Sequence, residues 1–246
     1  MKADLTRQWK LLDLQKLDTR LDQLAHRERT LPVQAELDAA TARAQTLAED
    51  VVLARTAVQD NQRAVSKADA DVQLVRDRAA RDRQRLEGGA GSAKELQSLQ
   101  HELETLARRQ AELEDVELEV MERAETLQGE LTAKETAQTD AQDTVARLTE
   151  QRDKDVADIT TEREQVQRDR ANVAPGVGQE LLDLYEKVRE QQGGVGAAAL
   201  QQKRCTGCGL ELVQAELSRI RSAPEDEVLR CEECRRILVR TAESGL

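Results

Sequence analysis

All four cysteines of the 246-residue chain, Cys205, Cys208, Cys231 and Cys234, lie in one C-terminal stretch as two C-x-x-C pairs with 22 residues between them. A C-x-x-C turn brings two thiolates to one side of a tetrahedral ion, and a second pair completes a four-sulfur shell. Paired knuckles at this separation predict a zinc ribbon holding one structural Zn2+. With four protein ligands no coordination position remains for water or substrate, so catalysis at the metal is not expected. Two disulfides are the competing reading and belong to an oxidising compartment, and a tetrathiolate iron centre satisfies the same spacing. The opening Met1-Lys2-Ala3-Asp4 leads into a charged helical pattern rather than a signal peptide, which favours zinc and a cytoplasmic location. Gly207 and Gly209 suit a tight turn around Cys208. So small a ribbon is expected to lack a core of its own and to take much of its folding free energy from the metal, on a scale of about 10–16 kcal/mol.

The elements that must carry this site are helical. The chain is 35% charged, with no Phe, one Trp and one Tyr, a composition that belongs to long helices and coiled coils. Nothing approaches the length of apolar sequence that a membrane span needs. The net charge is −11, of which −9 resides in residues 1–170, where 27 basic residues face 36 acidic ones; residues 201–246 carry eight of each. A general basic footprint for nucleic acid is absent, so any such binding has to come from a local patch.

From Leu5 apolar residues recur at steps of three and four through Leu14, Leu17, Leu21, Leu24 and Leu31, break at Pro32, and restart at Leu37. An a/d register then holds through Val51, Val58, Ala68, Val72 and Ala79 to Leu86, with only Asn61 and Asp82 polar. The cluster Gly88-Gly89-Ala90-Gly91 ends the helix. Ser92-Ala93-Lys94-Glu95 is an S-x-x-E capping box that opens the next. A second seam runs from Leu96 and Leu99 through Leu127 and Leu131 to Leu148, then slips before Val156 and ends near Asn172. Two helices of about 80 residues, each about 120 Å long at 1.5 Å per residue, are expected to fold back as an antiparallel coiled-coil hairpin. Ala79 then meets Leu103 and Ala54 meets Leu127, small against large. Pro32 falls opposite the register slip, which predicts a bend near residue 32 in one arm and near 149–156 in the other. The division expected is a hairpin over residues 1–173, turning near 88–92, and a short helix plus zinc ribbon over 174–246.

Within the second part, 177–191 reads as a helix, 197–203 and the segments around Leu229 and Ile237 as strands, and 210–220 as a short helix or loop. Trp9 and Tyr185 are expected to anchor the hairpin base against the ribbon. His26 and His101 read as solvated helix residues. The segment from Gly88 to Lys94 lacks the G-K-[ST] ending and the preceding strand of a phosphate loop, and reads as a hairpin turn. The tip has some basic character, with eight Lys and Arg against six acids over residues 76–109. Its candidate nucleic-acid contacts are Arg81, Arg83, Arg85 and Lys94, set against the plainer reading of a solvated coiled-coil flank.

The combination of a long hairpin with L-L-x-x-Y-E-K-V-R at 181–189, G-G-V-G at 193–196 and C-x-x-C…C-x-x-C-R-R-I-L from Cys205 resembles a bacterial C4-type zinc-ribbon family with a coiled-coil hairpin, a domain of unknown function. The segment from Ser92 to Glu102 is similar to the tip motif of that family, K-E-[YL]-x-x-L-x-x-E. The second knuckle departs from the family's C-P-x-C-G, reading Cys231-Glu232-Glu233-Cys234-Arg235. The resemblance carries zinc ligation onto the four cysteines and implies an adaptor or chaperone-like factor for proteins of flagellar or secretion type, in some cases for RNA.

The expectation is therefore a non-enzymatic adaptor with no small-molecule substrate and no membrane partner. It would bind a protein through the ribbon and through a tip that includes Ser92, Lys94, Glu95, Leu96, Leu99 and Glu102. The alternative is an RNA-binding or transcription-associated factor.

Overall fold

A computed structural model describes residues 1–89 and 91–246; Ala90, in the expected turn, lies outside the described residues. Three long helices come first: α1 (Leu5–Arg29), α2 (Pro32–Glu87) and α3 (Ala93–Val173). After a single turn of 3-10 helix at Ala174–Gly176 come α4 (Gln179–Gln191), β1 (Ala197–Gln201), β2 (Arg204–Cys205), α5 (Gln214–Ser222), β3 (Leu229–Arg230) and β4 (Ile237–Val239). The chain is mainly α, a long helical hairpin followed by a small four-cysteine domain.

The helix boundaries follow from local chemistry. Asp4 caps α1, its carboxylate accepting from the Arg7 N–H at 2.9 Å. Thr30 closes that helix, its N–H donating to the carbonyls of His26 and Arg27. Pro32 is then the first residue of α2, where a missing N–H costs nothing. At the level where the second seam slips, α3 continues as one helix from Ala93 to Val173.

Packing groups residues 35–149 as one unit and joins Met1–Gln34 to Glu150–Leu246 as another. The base of the hairpin thus packs with the ribbon, whereas division by sequence order sets the limit at residue 173.

In the distal unit, α2 and α3 run antiparallel. Val51, Ala68 and Val72 on one arm and Leu99, Leu106, Leu131 and Leu148 on the other are buried along the seam. Ion pairs on the flanks fix the register: Arg78 with Glu102, Arg76 with Glu114 at 2.6 Å, and Arg55 with Glu135 at 2.7 Å. The two polar seam residues differ in their fate. Asn61 donates to the carbonyl of Val120 at 2.9 Å across the seam. Asp82 is buried, one of its carboxylate oxygens has no hydrogen-bond partner, and the side chains of Arg78 and Arg85 stop 4.0 Å away.

In the basal unit the buried face of α1 is Gln8, Leu11, Leu14, Gln15, Asp18 and Leu24. Of the apolar positions that the heptad spacing marks in this helix, Leu14 and Leu24 belong to the buried face, whereas Leu17 and Leu21 are only half-buried. The reason is that α1 is enclosed by two partners, the end of α3 on one side and α4 with the sheet on the other. Asp18 accepts from the guanidinium of Arg170 on α3 at 2.6 Å and from the hydroxyl of Tyr185 on α4 at 2.7 Å. Arg170 also pairs with Glu186, and Arg189 with Asp22 at 2.8 Å. Burial and the Asp18 bond push the Tyr185 phenol well above the usual tyrosine range, and the Asp18 bond raises Arg170 likewise. Gln15 takes the N–H groups of Gly196 and Ala197 and donates to the carbonyl of Gly194, which sets where β1 begins.

Strand order in the sheet is β2-β1-β4-β3, with β1 and β4 parallel and the outer pairs antiparallel. Successive residues of a strand face opposite sides, and both sides are covered. Ala197, Ile237 and Val239 pack with Leu11, Leu14, Leu181, Tyr185 and Val188. Ala198, Leu200 and Leu238 pack with Leu217, Ile220 and the cysteines. The ribbon thus has a core on each face, which corrects the expectation that it has none.

Two substitutions test this account. Asp18→Ala leaves the buried Tyr185 phenol without its acceptor and strips the partly buried Arg170 guanidinium of one of its two carboxylates, and is expected to lower stability by about 3 kcal/mol in denaturant unfolding. Asp82→Leu replaces a buried carboxylate that has one unsatisfied oxygen and only distant arginines with a seam residue, and is expected to stabilise by about 1 kcal/mol, read as a rise in Tm.

Candidate metal centre and hairpin tip

The two cysteine knuckles are built alike. In the first, the Gly209 N–H donates to the Cys205 carbonyl at 2.8 Å, and the Cys205 N–H to the Leu210 carbonyl at 3.0 Å. In the second, Arg235 donates to Cys231 at 2.9 Å, and Cys231 to the Arg236 carbonyl at 3.0 Å. The residue following the second cysteine of each pair takes a left-handed backbone, with φ +74° at Gly209 and φ 62° at Arg235. Glycine adopts that conformation freely, whereas an L side chain costs about 1–2 kcal/mol there. The departure from a glycine in the second knuckle is therefore accommodated with strain rather than with a different turn. Gly207 meets a separate demand, since a Cβ there would come within 2.7 Å of the Arg236 side chain.

Folding the knuckles together brings the four Sγ atoms within 4.8 Å of one another. The Cys205 and Cys234 sulfurs are 3.8 Å apart, close to the edge of a tetrahedron with Zn–S bonds of about 2.3 Å. None of the four is in a disulfide. Cys205 and Cys231 are buried, and Cys208 and Cys234 partly so. The donor set fits a C4 site for one structural zinc. Burial pushes the Cys205 thiol up to about 12 and raises Cys231 as well, each with a contribution from the Cys234 charge. At Cys234 burial acts in the same direction but is outweighed by hydrogen bonds led by the Arg236 N–H, so its thiol is lowered. Burial thus opposes ionisation at Cys205 and Cys231, and the charge of a bound cation would stabilise the tetrathiolate.

Three polar residues hold the ribbon around this centre, Arg236 from the C-R-R-I-L motif and Glu216 and Arg240 from no motif in the sequence. Arg236 donates to the carbonyls of Val195 and Gln192, tying the second knuckle to the turn after α4. Glu216 is buried at the start of α5 and accepts the Glu232 N–H at 3.1 Å. The Arg240 guanidinium reaches four carbonyls, those of Ile220, Ala223, Pro224 and Glu225. Trp9 donates its indole N–H to the Arg240 carbonyl at 3.0 Å while remaining 49% exposed. Tyr185, the other expected anchor, is fully buried. The main chain of the N-terminal segment runs along residues 226–228, with Ala3 donating to Asp226 and Val228 to Met1.

At the tip, Glu95 accepts from the Ser92 N–H at 2.6 Å and from its hydroxyl at 2.8 Å. These bonds hold its carboxyl below the usual range. Leu99 is buried in the seam and Leu96 half-buried, so Leu99 supports the tip from within. Glu102 pairs with Arg78 across the arms, and Arg85 lies 4.0 Å from Asp82. Lys94, Arg81 and Arg83 are exposed. His26 and His101 are exposed too. Among the described residues no helix is long and apolar enough to cross a membrane.

Purified protein is expected to contain one zinc per chain by elemental analysis. Because ligation requires four thiolates, zinc affinity falls as pH falls. Chelation or Cys205→Ser is expected to expose the core around Leu200 and Ile220 to hydrogen exchange while the helical circular-dichroism signal of the distal hairpin persists.

Comparison with known proteins agrees with this architecture. Residues 14–193 match the CT398-like coiled coil hairpin domain, and residues 204–238 the C4-type zinc ribbon domain. The uncharacterised protein Rv2229c of Mycobacterium tuberculosis is 40% identical over 240 residues, 98% of each chain. ML1638 of Mycobacterium leprae, also uncharacterised, is 31% identical over 89% of this chain and 94% of its own. A solved structure from Mycobacterium smegmatis is 36% identical with a TM-score of 0.84, covering 98% of this chain and 100% of that one. CT398 from Chlamydia trachomatis shares the fold at 16% identity, with a TM-score of 0.64 over 96% of this chain and 98% of its own. With a family match over most of its length and relatives alike from end to end, the chain belongs to the bacterial proteins that join a CT398-like coiled-coil hairpin to a C4-type zinc ribbon.

Proposed function

We propose that the chain is a non-enzymatic adaptor or chaperone-like protein that engages a protein partner through its hairpin tip and its zinc ribbon. The observation that carries this reading is how the tip groups are used. The Ser92–Glu95 capping box fixes the start of α3, and Leu99 is committed to the seam, yet Lys94 is left exposed beside them. A metal shell completed by the chain's own four cysteines supports a structural role for the ribbon. The acidic surface, −11 overall, favours protein over general nucleic-acid binding.

A second reading, local RNA binding at the tip, is favoured by the exposed cations Arg81, Arg83 and Lys94. The same experiment separates the two. The intact protein is used as bait in its host, alongside Cys205→Ser and a Glu95→Ala/Leu96→Ala tip variant. Recovery of one protein partner, lost with either variant, supports the adaptor and locates the working end. Recovery of RNA alone, weakening steeply with added salt, overturns it in favour of the second reading.

A further inference from the structure

The distal hairpin carries a pattern that its own fold does not use. Positions 53, 60, 67 and 74 of α2 recur every seven residues on the side away from the seam and read Leu, Asp, Lys, Leu. Leu53 and Leu74 are each 67% exposed. The pattern is its own complement on reversal. Turned end for end about the point midway between Asp60 and Lys67, Leu53 falls on Leu74 and Asp60 falls on Lys67. A two-fold interface uses one patch twice and needs that self-complementarity.

The second arm adds to the same face. Arg78 on α2 pairs across this flank with Glu102 on α3. Two heptads further from the turn on each arm, the corresponding residues are Ala64 and Val116. Val116 is 48% exposed, and this places it beside the midpoint of the pattern, where a two-fold axis would bring it to its own copy. Asp60 has one oxygen 3.1 Å from Arg63 in an exposed pair, and Lys67 is exposed with no acidic partner among the described residues.

We propose that this face binds a second copy of the chain, antiparallel, with Leu53 of each copy against Leu74 of the other and Asp60 opposite Lys67. Charge complementarity under the two-fold selects a second copy over an unrelated helix, and the proposal is independent of the tip and of the ribbon. A strip from residue 53 to 74 is about 32 Å long and falls short of the roughly 800 Å² per partner of a standard interface. The association is therefore weak, reversible and concentration-dependent.

Sedimentation equilibrium of the full-length zinc-loaded protein, from about 10 µM to about 1 mM, tests it. Asp60→Lys alone and Lys67→Asp alone each turn two attractive contacts into repulsive ones and should weaken self-association about tenfold. The double variant D60K/K67D should restore it, and an equimolar mixture of the two single variants should form mixed dimers. Both positions are exposed, so helical content should not change. A monomer at every concentration overturns the proposal. So does a dimer indifferent to the single reversals, or one that the double variant fails to rescue.

Discussion

One carboxylate determines how the basal unit is assembled. Asp18 lies on α1 with almost none of its side chain exposed, and it is met by an arginine from α3 and a tyrosine from α4. A chain with no Phe and a single Tyr cannot fix three helices by the bulk of its side chains. It uses directional bonds instead, and these accept only one rotation of α1. Once that rotation is set, Gln15 faces the start of β1, Gln8 reaches the carbonyls of Ala3 and Glu225, and Leu11 and Leu14 face the sheet. Such a network is costly if any member is missing and specific when complete.

The sheet passes that constraint on to the metal centre. β1 and β4 are three to five residues long, and each presents one face to the helices and the other to the cysteines. Ile237 and Leu238 are neighbours in sequence but belong to different cores. Zinc therefore does more than close a loop, because the second knuckle lies between β3 and β4 and its position determines whether both faces can be covered. The family resemblance of the 181–189 segment has the same physical content: Tyr185 and Arg189 are its members that meet Asp18 and Asp22.

Much of this was legible in the residues. Heptad spacing located both arms, the capping box located the start of α3, and two C-x-x-C pairs located the ligands, because each is a periodic or short-range signal. Asp18, Glu216 and Arg240 were not legible. In a chain one-third charged, a buried carboxylate is spelled the same way as a solvated one, and only the fold distinguishes them. The face of α1 is only partly marked for a related reason: Leu14 and Leu24 are buried, but Leu17 and Leu21 continue a seam suited to one neighbouring helix, and α1 has two neighbours. Arg235 shows the converse, a left-handed position that a glycine would have announced and an arginine conceals.

The pairing of residues 1–3 with 226–228 has a consequence for biosynthesis. Residues 1–3 leave the ribosome well before the segment they pair with, which is made more than 220 residues later. At about 5–20 residues per second this interval is on the order of 10–40 s. Until α4 emerges, α1 can form as a helix but Leu11 and Leu14 lack the partners of their core; Leu181, Tyr185 and Val188 come first, and Ile237 and Val239 complete it last. The hairpin, built of contacts between neighbouring heptads, can close progressively from its turn as α3 emerges. The ribbon, translated after both arms, is thus the step that removes the remaining greasy surface of α1 from view of the cell's quality control.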